Sequence, residues 1–215
     1  MKDEELRRTV LDALEFDPRI DASGIGVAAS DGVVTLTGHV RTYSEKYDAE
    51  KIAAHVKGVK GIAQDIEVRT SYEQGNSDDE LAKRALNTIG WNVSIPDGKV
   101  QVKVQQGWVT LNGEVSWNFQ RAAAESAVRR LSGVKGVANL IKLDGSVQIN
   151  DVRERIQKAL KRSAELEARD IQVAVHDRKV TLTGKVRSWS DRHAAEQAAW
   201  STPSVIGVED KLVVG

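Results

Sequence analysis

Residues 34–40, VTLTGHV, alternate like a β-strand but carry a glycine where an apolar side chain is due, and the phrase returns as VTLNGEV at 109–115 and VTLTGKV at 180–186. Val34, Leu36, Gly38 and Val40 share one parity, which sets the glycine on the core face. A glycine on the buried side of a strand marks a bulge or a close approach of another backbone. The three glycines, Gly38, Gly113 and Gly184, stand 75 and 71 residues apart. Twenty residues beyond each comes a second block: GVKGI at 58–62, GVKGV at 133–137 and SVIGV at 204–208. Chance does not hold register in this way. The chain reads as three copies of one unit of roughly 70 residues, near the lower end for independent folding.

Each unit has the order αββαβ. Leu6, Val10 and Leu14, and again Val152, Ile156 and Leu160, recur at helical spacing. The segments DALEFDP, RALNTIG and KALKRSA align at Leu14, Leu86 and Leu160, which predicts three extra residues in copy two, around Trp91. Ile25, Val27 and Ala29 start the first strand, matched by Val100, Val102, Val104 and by Ile171, Val173, Val175. Asp31-Gly32 and Gln106-Gly107 supply hairpin turns. Ala49, Ala124 and Ala195 open the apolar face of the second helix, so a small residue opposite the phrase glycine predicts close helix–sheet packing. The second block, with Gly61, Gly136 and Gly207, ends that helix at a left-handed cap and launches the last strand. The expected modules are 1–70, 77–145 and 147–215, joined by the polar stretches SYEQGNSDDE (71–80) and DGSVQIND (144–151).

Composition narrows the function. The 215 residues carry 31 basic and 31 acidic side chains, so no global field draws the chain to nucleic acid. No cysteine is present, which excludes disulfides and thiolate chemistry. The N-terminal MKDEELRRTVLDAL is acidic and helix-patterned rather than leader-like, so the location expected from the sequence as it stands is cytoplasmic, or periplasmic if a leader has been removed. His39, His55, His176 and His193 do not recur at equivalent positions. In SDRHAAE, Asp191 and Ser190 read as helix-capping groups rather than metal ligands beside His193. No serine has a paired histidine, and no pair of carboxylates stands out. The expectation is a protein that is not an enzyme, with no catalytic residues, no metal and no cofactor.

Binding leaves traces where the copies differ. Net charge runs −3, +1 and +2 over 1–70, 71–144 and 145–215. The first helix of copy three gathers Arg153, Arg155, Lys158, Lys161 and Arg162, either a contact for anions or a solvated face. Trp91, Trp108 and Trp117 lie in copy two, with Phe119 close behind, against Trp189 and Trp200 in copy three. Trp108 replaces Val33 and Lys179 of the other copies, on the parity opposite the core, which places it on the open sheet face or its edge. Such aromatics suit a bilayer interface, a partner protein or packing between copies.

The paired motifs resemble those of the BON family, named for bacterial OsmY and nodulation proteins, with its GxVtLtGxV strand and GVxxV block. All three copies match; the third departs at Arg178, in place of the turn glycine, and at Ser204. The resemblance implies an α+β fold in which two helices pack on one face of a small three-stranded mixed sheet. It also implies non-enzymatic roles in envelope or osmotic stress with phospholipid attachment. The expected function is therefore an OsmY-like bacterial stress protein binding membrane phospholipid through modules 2 and 3. The alternatives are an adaptor or chaperone-like module that binds another protein, and a small-ion or ligand site between modules.

Overall fold

The computed structural model describes residues 2–70, 77–144, 152–162, 171–202 and 205–214, leaving aside the side chains of Lys161 and Arg162. Module 1 runs α1 (Asp3–Phe16), β1 (Ile25–Ser30), β2 (Val33–Val40), α2 (Tyr43–His55) and β3 (Gly61–Val68). Module 2 runs α3 (Asp78–Gly90), β4 (Val100–Gln105), β5 (Trp108–Val115), α4 (Asn118–Arg129), β6 (Gly136–Asn139) and β7 (Lys142–Leu143). Module 3 runs α5 (Val152–Arg162), β8 (Ile171–His176), β9 (Lys179–Val186), α6 (Trp189–Trp200) and β10 (Gly207–Val214). In every sheet the phrase strand is central, antiparallel to the strand before it and parallel to the strand after it. The fold is α+β, with three small mixed sheets and helix–turn crossovers between the parallel strands. By contacts the chain forms two compact units, one of Met1–Val115 with Gln120–Lys142, the other of Ser116–Phe119 with Leu143–Gly215.

The core of each module follows the apolar periodicities. In module 1, Leu6, Val10 and Leu14 of α1 meet Val34 and Leu36 of β2 and Ala49 and Ala53 of α2. Each buried leucine or valine contributes about 1.5–3 kcal/mol by leaving water. The buried stripe of α3 is Leu81, Ala85 and Ile89, while Leu86 is 48% exposed. These positions lie 75 residues beyond Leu6, Val10 and Leu14, and Val152, Ile156 and Leu160 lie 71 further on. The copies therefore run without a gap from first helix to last strand, and the insertion expected near Trp91 does not exist. The difference between 75 and 71 falls between modules. Matching alanine–leucine pairs aligned an outer face of α3 with a core face of α1, and burial is what separates the two.

Backbone geometry accounts for the recurring glycines. Gly38, Gly113 and Gly184 have φ of 107°, 132° and 128°, a region that side chains rarely enter. A Cβ on Gly38 would lie 2.1 Å from the carbonyl oxygen of Gly24, and one on Gly113 would lie 2.0 Å from that of Lys99. The close approach is thus to the backbone entering the first strand. It is not the helix contact that the parity argument anticipated, and Gly38 itself is exposed. The hairpin turns have two consecutive left-handed residues: Asp31 and Gly32 (52°, 83°), Gln106 and Gly107 (52°, 82°), Asp177 and Arg178 (47°, 64°). Loss of the glycine in module 3 leaves the turn unchanged in kind, a type I′ hairpin. The left-handed residues after the second helix are Gly58 and Gly133, at 98° and 93°. Gly61, Gly136 and Gly207 instead begin the last strands.

Candidate binding surfaces

The end of α3 presents the most exposed apolar group in module 2. Ser77 caps the helix start by accepting from the Glu80 amide, and Trp91 closes its end, its N–H donating to the Asn87 carbonyl. The Asn92 side chain then accepts from the Ser94 amide at 3.0 Å, and the chain reverses. Ile95 is buried and pins the far side of this turn, so the residues between face outward. Trp91 is 83% exposed and Val93 fully so, with Leu86 a further exposed apolar residue on the same helix. Val93 was not singled out from the sequence, and Leu86 entered it only as the alignment partner of the core residues Leu14 and Leu160.

The other aromatic residues are held differently. Trp108 stands on the open face of its sheet, 56% exposed, with its six-membered ring over Gly136. A Cβ on Gly136 would lie 2.3 Å from Cζ3 of that ring, so the glycine is a seat for the indole. The equivalent residues Val33 and Lys179 lean over Gly61 and Gly207 in the same way, with closest approaches of 3.7 Å and 3.3 Å to an added Cβ. Trp91 belongs to the helix layer and Trp108 to the opposite sheet face, so module 2 does not bring them together. Trp117 is half-buried and engaged, and Phe119 is exposed at the start of α4; both belong to the second compact unit.

Helix α5 buries Val152, Ile156 and Leu160 and turns Arg153, Arg155 and Lys158 outward. Lys158 is paired with Glu154 at 2.6 Å, and its hydrogen bond holds that carboxyl below the usual range. Arg153 and Arg155 supply exposed positive charge. The side chains of Lys161 and Arg162 lie outside the described residues. In module 1 a groove of about 380 Å³ between α1 and α2 has Ala13, Ile52 and Val56 among its lining, together with Arg19, Asp48, Lys51 and His55. Arg19 is bound to Asp17 at 2.7 Å and lies 4.0 Å from Asp48, so the two carboxylates offset much of its charge.

Among the described residues no group of three potential ligands is placed to hold a metal. Asp191 accepts from the Arg187 amide at 3.2 Å while its own amide donates to Ser188 at 3.1 Å. The helix cap is therefore Ser188, not Ser190, and the Asp191 carboxylate reaches back from the first turn to the amide preceding the cap. Thr42 and Glu45 form a full capping box at the start of α2. Among the described residues no helix is long and apolar enough to cross a membrane.

Three matches to the BON domain family model cover residues 2–70, 77–145 and 149–215. Osmotically-inducible protein Y of Escherichia coli (strain K12) is 30% identical over 146 residues, 66% of this chain and 73% of that protein. Outer membrane lipoprotein DolP of Haemophilus influenzae is 30% identical over 143 residues, 65% of this chain and 74% of that protein. Among solved structures, CdsD, a structural protein of the Type III secretion system of Chlamydia trachomatis, aligns over 98% of this chain and 92% of its own at 14% identity. Its TM-score of 0.27 is too low for the likeness to carry an argument.

Proposed function

The chain belongs to the BON domain family, with three domains in tandem, and we propose that it is a non-enzymatic, osmotic-stress-type protein of the bacterial envelope that binds phospholipid surfaces. The carrying observation is the outward pair Trp91 and Val93 on a turn pinned by buried Ile95. An indole at the end of a helix, amphipathic and unburied, suits the interfacial layer of a bilayer. Exposed Arg153 and Arg155 on α5 add a separate electrostatic contact, worth about 1 kcal/mol per basic residue near an anionic surface. The names of the two relatives, one osmotically inducible and one an outer membrane lipoprotein, support the stress role and the envelope location. They favour a periplasmic over a cytoplasmic site.

A second reading rests on the open sheet face of module 2, where Trp108 and, on the following loop, Leu140 are both more than half exposed. An adaptor would use these residues against a partner protein. Flotation with phosphatidylglycerol and phosphatidylcholine vesicles separates the readings. The wild-type chain is expected to float, and Trp91→Ala to weaken its association with both vesicles. Replacing Arg153 and Arg155 with glutamate should remove the salt-sensitive part of binding to phosphatidylglycerol. A chain that floats with neither vesicle leaves the adaptor reading.

A further inference from the structure

Modules 1 and 2 fall within one compact unit, and two tyrosines of α2 meet module 2. The Arg129 guanidinium, from the end of α4, lies 3.6 Å from the centroid of the Tyr47 ring. Its Nε is buried and without a hydrogen-bond partner, so the ring face is the group that compensates for lost water. One turn earlier, the Tyr43 hydroxyl reaches β6. Burial pushes its titration up, the backbone N–H of Val137 donates to it and pulls the other way, and Glu125, Arg129 and Glu50 supply the surrounding charges. β6 is the outer strand of its sheet and is four residues long. A bare edge of this kind is a template for pairing with another chain.

We infer that α2 of module 1 is a docking helix for module 2: Tyr43 covers the β6 edge, the Tyr47–Arg129 stack fixes the angle, and the two modules move as one rigid body. The partner is specified by sequence. At the repeat distances of 75 and 71 residues, Tyr43 and Tyr47 correspond to Asn118 and Ala122 and to Trp189 and His193, while Arg129 corresponds to Ala54 and Trp200. No other pair of modules can form the same stack. A partner that adds a strand to β6 must first displace module 1, which narrows any adaptor role to the remaining surfaces. The inference is independent of lipid binding.

Nitrogen-15 relaxation and amide exchange on the full chain test it. Residues of α1–β3 and of α3–β6 are expected to report one rotational correlation time. Tyr47→Ala with Arg129→Ala should split it in two, and Tyr43→Phe should speed exchange at Val137 at least tenfold. Unchanged protection at Leu111, in the centre of the same sheet, shows that the variants remain folded. Two correlation times in the wild-type chain overturn the inference. So does a single time that survives the double substitution in a folded chain, or a Val137 amide indifferent to Tyr43→Phe.

Discussion

Modules 2 and 3 tie the second helix to the third strand at the same place, and they do it with different chemistry. In module 2 the Asn139 amide donates to the Arg121 carbonyl at 3.0 Å and to the Glu125 carboxylate at 3.1 Å. In module 3 the corresponding residues are Asp210 and Arg192, joined as an ion pair, and the free carboxylate oxygen accepts from the Leu212 amide at 2.8 Å. Module 1 has Gln64 donating to the Lys46 carbonyl at 3.0 Å and Lys46 donating to that of Ile66 at 2.7 Å. The hairpins diverge in the same manner. Both turn amides of module 2 donate to Asp78, at 2.7 Å and 3.0 Å, whereas module 3 holds Arg178 left-handed in place of Gly107. What persists between copies is the backbone path; the side chains that secure it are interchangeable in type and unequal in energy.

That inequality orders the expected effects. Gly113→Val should be the most damaging, at about 3 kcal/mol or more, because it adds a branched side chain at φ 132° against a carbonyl oxygen. Gly136→Ala, whose nearest neighbours are atoms of the movable Trp108 ring, should cost about 1 kcal/mol; equal losses in thermal unfolding would break the distinction between backbone and side-chain seats. Between these two, Asp210→Ala strands a part-buried arginine and should destabilise module 3 by about 2–3 kcal/mol, against about 1 kcal/mol in module 2 for Asn139→Ala. Amide exchange reports each module separately, and a larger loss at Asn139 would reverse the ranking.

Smaller effects sharpen the comparison. Arg178→Gly relieves a left-handed side chain and should stabilise module 3 by about 1 kcal/mol, read as slower exchange across β8 and β9. A destabilised turn would show that the contacts of the half-buried Arg178 side chain outweigh the dihedral. The least effect is electrostatic. Hydrogen bonds from Arg19 hold the Asp17 carboxyl down at about 2, from 3.8. Its contribution to module 1 is therefore complete above pH 4 and lost as pH falls through about 2. A carboxyl NMR titration of Asp17 with a midpoint near 4 would remove that contribution.

The order αββαβ was legible because period-two strands, hairpin turns and helical stripes are local signals, and parity alone set Trp108 on the open face. The helix register of copy two was not. In LAKRALNTIG both the Leu81–Ala85–Ile89 stripe and the stripe through Leu86 are apolar, and only burial decides between them. Glycine in the repeated phrase shows that a Cβ is excluded without showing what excludes it. Gln64, Asn139 and Asp210 each stand on the core parity of a last strand, where a polar residue interrupts the apolar alternation without naming its partner. The Tyr47–Arg129 stack joins residues of different copies, and nothing near either one announces the other.

The seat of Trp108 on Gly136 also gives the molecule an optical gauge. Glycine is the first residue of β6, which is held to β5 by four register pairs. In a variant keeping Trp108 as the sole tryptophan, fraying of that short strand moves the indole from its seat into water while the buried leucines stay in place. Its emission should then redden at denaturant concentrations where the far-ultraviolet dichroism has not begun to fall. The lag between the two curves measures how loosely the β6 edge is held, in a protein whose core is still intact.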